Sequence, residues 1–497
     1  MGAAAWAATA AQGLSGASIA RDGIAAQGTP ACQSCHGAAG TPPIDPATPR
    51  IAGLDADYLR RQLRLFKTGQ RRNPVMMQVA SSLSPGDMAT VAGYFARLPA
   101  GAAHRLAANS PGDIGTGRLI AERGRWAVNV PPCASCHAAD GLGVGATAPA
   151  LAGQSAAYIE AQLLAWSDGD RGGGPLGLMT RIAKRLNAND RESVAAYYQS
   201  LWSTPPDGPA PAKAPSHAPM PDRSTGYRVD AKGDATFVPP PDSEIPNDAF
   251  GAQVRLGRDI FLDTKGHAAA YVGNDLRCAS CHLDAGRLPN SAPMWAAYVM
   301  YPQYRAKNGH VNSFQERLQG CFRFSMNGKA PPLGHPVLVA LESYAYFLAK
   351  GAPTGVKLPG QGYPRLPAPP LAMDYSRGRD VYQANCALCH GAGGQGQSAR
   401  GAVVFPPLWG PKSFNWGAGM SDIDKAAGFI EANMPLGKGY SLSTQQAWDA
   451  AAFIDSQPRP QDPRFAGSVA ATRAAHHANA ESMYGRTANG ILLGARR

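Results

Sequence analysis

Four C-x-x-C-H runs constrain this chain more than any other feature: Cys32–His36, Cys133–His137, Cys278–His282 and Cys386–His390. Two thiols three positions apart can add across the two vinyl groups of one haem, and the adjacent imidazole then reaches the iron. A zinc ribbon or a thioredoxin-type pair does not need a histidine after every second cysteine. One such run arises by chance about 0.004 times in a chain of this composition, so four together exclude coincidence. The expected cofactors are therefore four covalently bound haem c groups, attached at Cys32, Cys35, Cys133, Cys136, Cys278, Cys281, Cys386 and Cys389. His36, His137, His282 and His390 are their proximal ligands. Attachment of this kind takes place outside the cytoplasm, so the expected location is the periplasm, although Met1 to Ala11 lacks the basic region and apolar core of a signal peptide.

Length and charge narrow the class. The chain has 497 residues, enough for three or four compact units, and its 57 glycines and 43 prolines leave much of it to loops and linkers. The formal net charge is +12, yet no run of five basic residues marks a nucleic-acid arm. A small anionic substrate or an acidic redox partner fits the charge better than nucleic acid does. No stretch approaches 18 uninterrupted apolar residues, so no transmembrane segment is expected.

The first two haem units repeat one another. Ile51–Leu63 matches Leu151–Leu163 at an offset of 100, and Leu83–Asp87 with Val91–Phe95 matches Leu186–Asp190 with Val194–Tyr198 at an offset of 103. Ser84 and Asn187 are the expected N-caps of the closing helices. A Pro-rich stretch from Pro205 to Pro221 follows and reads as an extended linker. The expected fold is mainly α, with four class I cytochrome c-like haem domains in two dihaem halves. Residues 1–103 and 104–203 form the first half, and 204–243 the linker. Residues 244–355 and 373–457 form the second half, joined by 356–372. The segment 458–497 is a tail that wraps the second half.

Each iron needs a distal ligand, and methionine suits an electron carrier. Met76 and Met77 are adjacent, but the repeat selects Met76: it lies seven residues before Leu83, as Met179 lies seven before Leu186. In the fourth unit Met434 stands at a comparable distance from His390, with Met373 and Met420 as weaker rivals. The third unit offers Cys321 and Met326, 39 and 44 residues beyond His282, and spacing does not separate them. Cys321 is the one cysteine outside the haem motifs. Arg317, Cys321 and Ser325 would form one polar stripe on a helix, and Arg323 and Lys329 add positive charge nearby. A cationic setting favours the thiolate that binds iron or attacks sulfur.

The run Asn312–Gly328, between two haem motifs, resembles the dihaem thiosulfate dehydrogenases, and the likeness continues through Asn433–Gly437 to cover roughly residues 240–497. The first half resembles bacterial dihaem cytochromes of the c-four type, so the whole resembles a natural fusion of such an enzyme with its electron-accepting cytochrome. The resemblance implies that Cys321 ligates the active-site haem. It also implies that two thiosulfates are joined into tetrathionate with release of two electrons. The electrons would leave for an external acceptor such as a high-potential iron-sulfur protein, a soluble cytochrome or a terminal oxidase. Two dianions about 7–8 Å apart repel by on the order of 8 kcal/mol at an effective dielectric near 20, so the site must be cationic. Arg317 is the first candidate, Arg305 and Lys329 the next, and Ser325 can donate to a sulfonate oxygen. Cys321 would leave the iron and bond the sulfane sulfur covalently. Two rival readings are a tetrahaem electron carrier without a substrate site, using Met326 as ligand, and a tetrathionate reductase running the reaction backwards. A third is another sulfur-cycle cytochrome with a Cys-ligated haem.

Overall fold

In each quarter of the chain a helix before the haem motif crosses one after it, and a glycine sits at every crossing. The pairs are Gly16–Asp22 with Pro85–Arg97, Ile114–Arg123 with Ala188–Ser200, Ala249–Leu262 with Pro336–Leu348, and Tyr375–Asn385 with Thr444–Asp455. A Cβ on Gly16 would lie 2.5 Å from the Thr90 carbonyl oxygen; on Gly117, 1.9 Å from that of Ser193; on Gly257, 1.9 Å from that of Ala340; on Gly378, 2.0 Å from that of Asp449. Four residues beyond each carbonyl an aromatic residue (Tyr94, Tyr197, Tyr344, Phe453) packs its Cβ against the same glycine. Any side chain would hold the helices apart, so the same steric solution is used four times. This is a mainly helical fold of class I cytochrome c modules.

The computed structural model describes residues 14–38, 45–99, 112–201, 227–229 and 235–495. The N-terminal segment to Ala11 and the Pro-rich run Pro205–Pro221 lie outside the described residues. The chain groups into two units, one of residues 1–121 with 137–214 and the other of residues 122–136 with 215–497. No described helix is long and apolar enough to cross a membrane.

The first unit carries the repeat. Ser84 and Asn187 both form capping boxes, with Asp87 and Asp190 returning the hydrogen bond. Repeat partners also meet in space. Arg71 donates to Gln62, Tyr158 and Gln162, and Arg171 donates to Gln162, Tyr58 and Gln62. Both arginines are buried, so neutral oxygens from both repeats satisfy the two guanidiniums.

In the second unit one core surrounds Trp295, Phe261, Tyr344 and Phe322, and another surrounds Tyr382, Ile423 and Ala450. Buried asparagines tie the modules together. Asn274 donates to the carbonyls of Ser325 and Ser413, and Asn415 to the carbonyl of Arg323 and the side chain of Asn327. The last residues fold onto this unit as a helix, Val469–His476, and a hairpin pairing Thr487–Ala488 with Ile491–Leu492. Tyr484 packs edge-on against Trp416, with ring centroids 5.7 Å apart.

Candidate active site

All four motif histidines are held in the same way. Nδ1 of His36 lies 2.9 Å from the Pro49 carbonyl oxygen, and that of His137 2.8 Å from Pro149. The matching contacts are His282 to Ala292 at 2.6 Å and His390 to Pro406 at 2.8 Å. A carbonyl only accepts, so Nδ1 carries the proton and Nε2 keeps the lone pair needed by a metal. Burial lowers the pKa of all four imidazoles, that of His282 to about 4, and keeps them neutral. These residues fit haem c: paired thiols, a neutral oriented imidazole and an apolar surround.

The third motif departs from the others. Cys32, Cys133 and Cys386 each open onto a short α-helical turn ending at the histidine. Cys278–Ser280 is instead a 3-10 turn, and beyond His282 the residues Asp284, Ala285 and Ala292 adopt positive φ. This motif lines a cavity of about 550 Å³, in which Cys278, Cys281 and His282 face Arg317 and Cys321. The Arg317 Nη1 donates to the Cys321 sulfur at 2.8 Å, and that sulfur is the chief reason the Arg317 pKa is raised. Burial pushes the thiols of Cys278 and Cys281 up to about 12, and the nearby Cys321 sulfur adds to the effect. Cys321 therefore stands within electrostatic range of both attachment cysteines.

The helix Phe314–Gly320 gives way to a π-turn at Cys321–Ser325, closed by the Met326 amide donating to the Cys321 carbonyl. Arg317 and Cys321 keep α-helical spacing. Ser325 is displaced from the stripe expected for it, because the wider turn buries Phe322 and Phe324 and hands the Arg323 carbonyl to Asn415. Ser325 still lines the cavity, as do Met326 and Arg305, whose Nη1 donates to the Tyr301 hydroxyl at 2.6 Å. Lys329 does not: it is exposed, and the chain turns away from the cavity at Asn327, which has φ 46°.

Four cavity cations escaped the sequence reading: Arg277, Lys307, Lys425 and Arg464. Lys307 sits in the turn of the hairpin Gln303–Arg305 with His310–Asn312, two residues past Arg305, a proximity that was available as a signal. Arg464 comes from the tail, and nothing local announces it. Among the methionines, Met76 and Met77 both pack against the first-unit core, and Met434 against the fourth-module core, whereas Met373 is 43% exposed.

The geometry has counterparts in known proteins. The SoxA/TsdA cytochrome c domain family matches residues 266–354, the cytochrome c family residues 121–202, and the family of subunit III of cbb3-type cytochrome c oxidase residues 374–454. A thiosulfate dehydrogenase of Thiomonas intermedia (strain K12) is 64% identical over 260 residues, 52% of this chain and 83% of the relative. A thiosulfate dehydrogenase electron acceptor of Stutzerimonas stutzeri (strain A1501) is 39% identical over 191 residues, covering 38% of this chain and 88% of its own length. The solved structure of the thiosulfate dehydrogenase TsdBA from Marichromatium purpuratum, as isolated, superposes with a TM-score of 0.86 at 44% identity, covering 96% of this chain and 98% of that one. The chain belongs to the thiosulfate dehydrogenase family, as a single-chain fusion of the TsdBA type.

Proposed function

We propose that the chain oxidises two thiosulfate ions to tetrathionate at Cys321, and that the contact between Arg317 Nη1 and the Cys321 sulfur, inside a cationic cavity, marks the reacting atom. The reading assigns haem c to all four motifs, where His36 and Met76, His137 and Met179, His282 and Cys321, and His390 and Met434 would hold the groups. Bound haem supplies one-electron acceptance. It places the protein in the periplasm and passes its electrons to a soluble or membrane-bound acceptor outside the chain.

The residues divide the work. Arg317 stabilises the Cys321 thiolate and the sulfonate of the first thiosulfate, and Arg305 adds charge at the same mouth. The Cys321 sulfur bonds the sulfane sulfur of that thiosulfate, forming one S–S bond and an S-sulfonated persulfide, and the two electrons released would be taken up one each by haem groups held at His282 and His390. The sulfane sulfur of a second thiosulfate then attacks the bound sulfane sulfur. One S–S bond forms, the bond to Cys321 breaks with its electron pair, and tetrathionate departs from a regenerated thiolate. Ser325 donates to a sulfonate oxygen.

Thiosulfate-dependent haem reduction, followed spectroscopically in the wild type and in Cys321→Ala, tests this. The expected result is reduction of all four haems in the wild type and none in the variant. Wild-type oxidation by a Cys321→Ala protein with every haem bound would overturn it.

A further inference from the structure

The reaction needs two thiosulfates, and Arg317 with Cys321 accounts for one. In the lining of the same cavity two further cations stand over a single ring. Lys307 Nζ lies 4.0 Å and Arg464 Cζ 4.9 Å from the centroid of Phe324, three residues after Cys321. Bringing like charges onto one ring costs repulsion unless an anion joins them.

The tail holds Arg464 firmly. Its Nε donates to Asp462 Oδ1 at 3.0 Å and its Nη2 to Oδ2 at 2.6 Å. Asp462 is itself fully buried and bonded at 2.9 Å to His477 Nε2, and His477 stacks on Tyr484 with centroids 4.4 Å apart. Arg464 Nη1 has no partner among the described residues and belongs to a side chain that lines the cavity. Lys307 donates to the Gly417 carbonyl and has no carboxylate partner among the described residues. Burial, helped by Arg464 and Arg317 and opposed by Asp462 and Asp422, lowers its pKa to about 8. The nearby carboxylates of Asp462 and Asp422 are already engaged, by Arg464 and His477 in one case and by Lys425 in the other.

We infer that Lys307 and Arg464 form the subsite for the second thiosulfate, gripping its sulfonate so that its sulfane sulfur points at the sulfur carried by Cys321. This deepens the proposed reaction and rests on it. The step served is the displacement: a bond forms between two sulfane sulfurs, the Cys321 S–S bond breaks, and the electron pair returns to Cys321 as thiolate. No electrons leave the substrates in that step, and no proton is needed. The tail is thus part of the enzyme, because without Asp462 and His477 the Arg464 guanidinium has nothing to hold it over Phe324.

The test uses the full haem-loaded chain with Lys307→Met, Arg464→Gln and Arg464→Lys. After one equivalent of thiosulfate, intact-mass analysis reads the Cys321 adduct, and steady-state kinetics reads KM and kcat. The expected result is wild-type adduct formation in all three variants. KM should rise at least about tenfold in Lys307→Met and Arg464→Gln, the loss of one charge-assisted hydrogen bond, with a persistent adduct and partial recovery in Arg464→Lys. Wild-type KM in both Lys307→Met and Arg464→Gln overturns the subsite. So does an altered haem potential at unchanged KM, which would make these residues partners of a haem carboxylate. Absence of any adduct in the wild type would instead sink the covalent role of Cys321, and the KM comparison would still decide for or against Lys307 and Arg464.

Discussion

Replacing Arg317 by methionine removes the guanidinium bonded to the Cys321 sulfur while keeping much of the side-chain volume. At 2.8 Å the attraction between a guanidinium and a thiolate is about 6 kcal/mol at an effective dielectric of 20. Burying both groups costs much of that, and a hydrogen bond to a charged partner retains about 1.5–3 kcal/mol net. The same bond holds the cysteine sulfur and the first sulfonate, so kcat/KM for thiosulfate should fall about 10- to 150-fold. Anaerobic stopped-flow reduction of the haems by thiosulfate measures this, with haem content checked by pyridine haemochrome. Arg317→Lys should fall between the two, since an ammonium keeps the charge but loses the planar fork. Added guanidinium ion should restore part of the rate of Arg317→Met. A fully haem-loaded Arg317→Met protein with the wild-type rate would refute the reasoning.

Three further outcomes follow from the geometry. Met326→Leu should leave the low-spin thiolate-ligated signal in the electron paramagnetic resonance spectrum of the oxidised protein intact, and Cys321→Ala should abolish it; the reverse pattern would make Met326 the ligand. Thiosulfate affinity should weaken as pH rises through about 8. Burial with Arg464 and Arg317 lowers the Lys307 pKa from its ordinary 10.5, so the charge is present below about 8 and lost above it, while Asp462 and Asp422 pull the other way. A KM-against-pH profile checks this, and in Lys307→Arg it should be flat across that range. Finally, Gly257→Ala would set a Cβ 1.9 Å from the Ala340 carbonyl oxygen and should destabilise the second unit by about 1–3 kcal/mol, read as a lower thermal midpoint by circular dichroism. An unchanged midpoint would show that the two helices can part without cost.

The parts of the site readable in the sequence are those governed by local covalent or helical geometry. Haem attachment demands two cysteines and a histidine at one spacing, so the motifs declare themselves. Arg317 and Cys321 lie four apart across the end of the helix Phe314–Gly320, where α-helical spacing still holds, and the pattern predicted their contact. One turn later the prediction slipped at Ser325, because the π-turn depends on burying Phe322 and Phe324 and on Asn415, some 90 residues away. Lys329 was favoured for nearness in the chain, yet the backbone reverses at Asn327 and leaves it exposed. Arg464 could not be read at all: its stretch has no periodicity, and its place over Phe324 depends on Asp462, His477 and Tyr484 packing as a group. The crossing glycines were legible in principle, since Gly16 and Gly117 each lie 16 residues before the first cysteine of their motifs, but only a carbonyl within 2.5 Å reveals why they matter.

The cavity opens where the shared pattern breaks. Three motifs run as a helical turn and give their histidine a proline carbonyl, an arrangement stiff in φ that leaves little freedom around the cofactor. The third gives up the helical turn, takes its carbonyl from Ala292 at φ 51°, and passes through Asp284 and Ala285 at positive φ as well. Non-glycine residues in that region cost about 1–2 kcal/mol each, and such costs persist only where the surroundings enforce them. Here the enforcing contacts include Tyr344, whose hydroxyl donates to the Ala285 carbonyl, and Trp295, whose indole donates to that of Arg287. The displaced backbone and the π-turn Cys321–Ser325 line the same cavity, together with Arg317, Arg305, Lys307 and Arg464. Positive φ also occurs in the second motif, where Ala138 follows His137 at φ 64°, but there the helical turn is kept. On the proposed reading a site that admits two dianions needs room and charge, and the third motif with the tail arginine Arg464 supplies both.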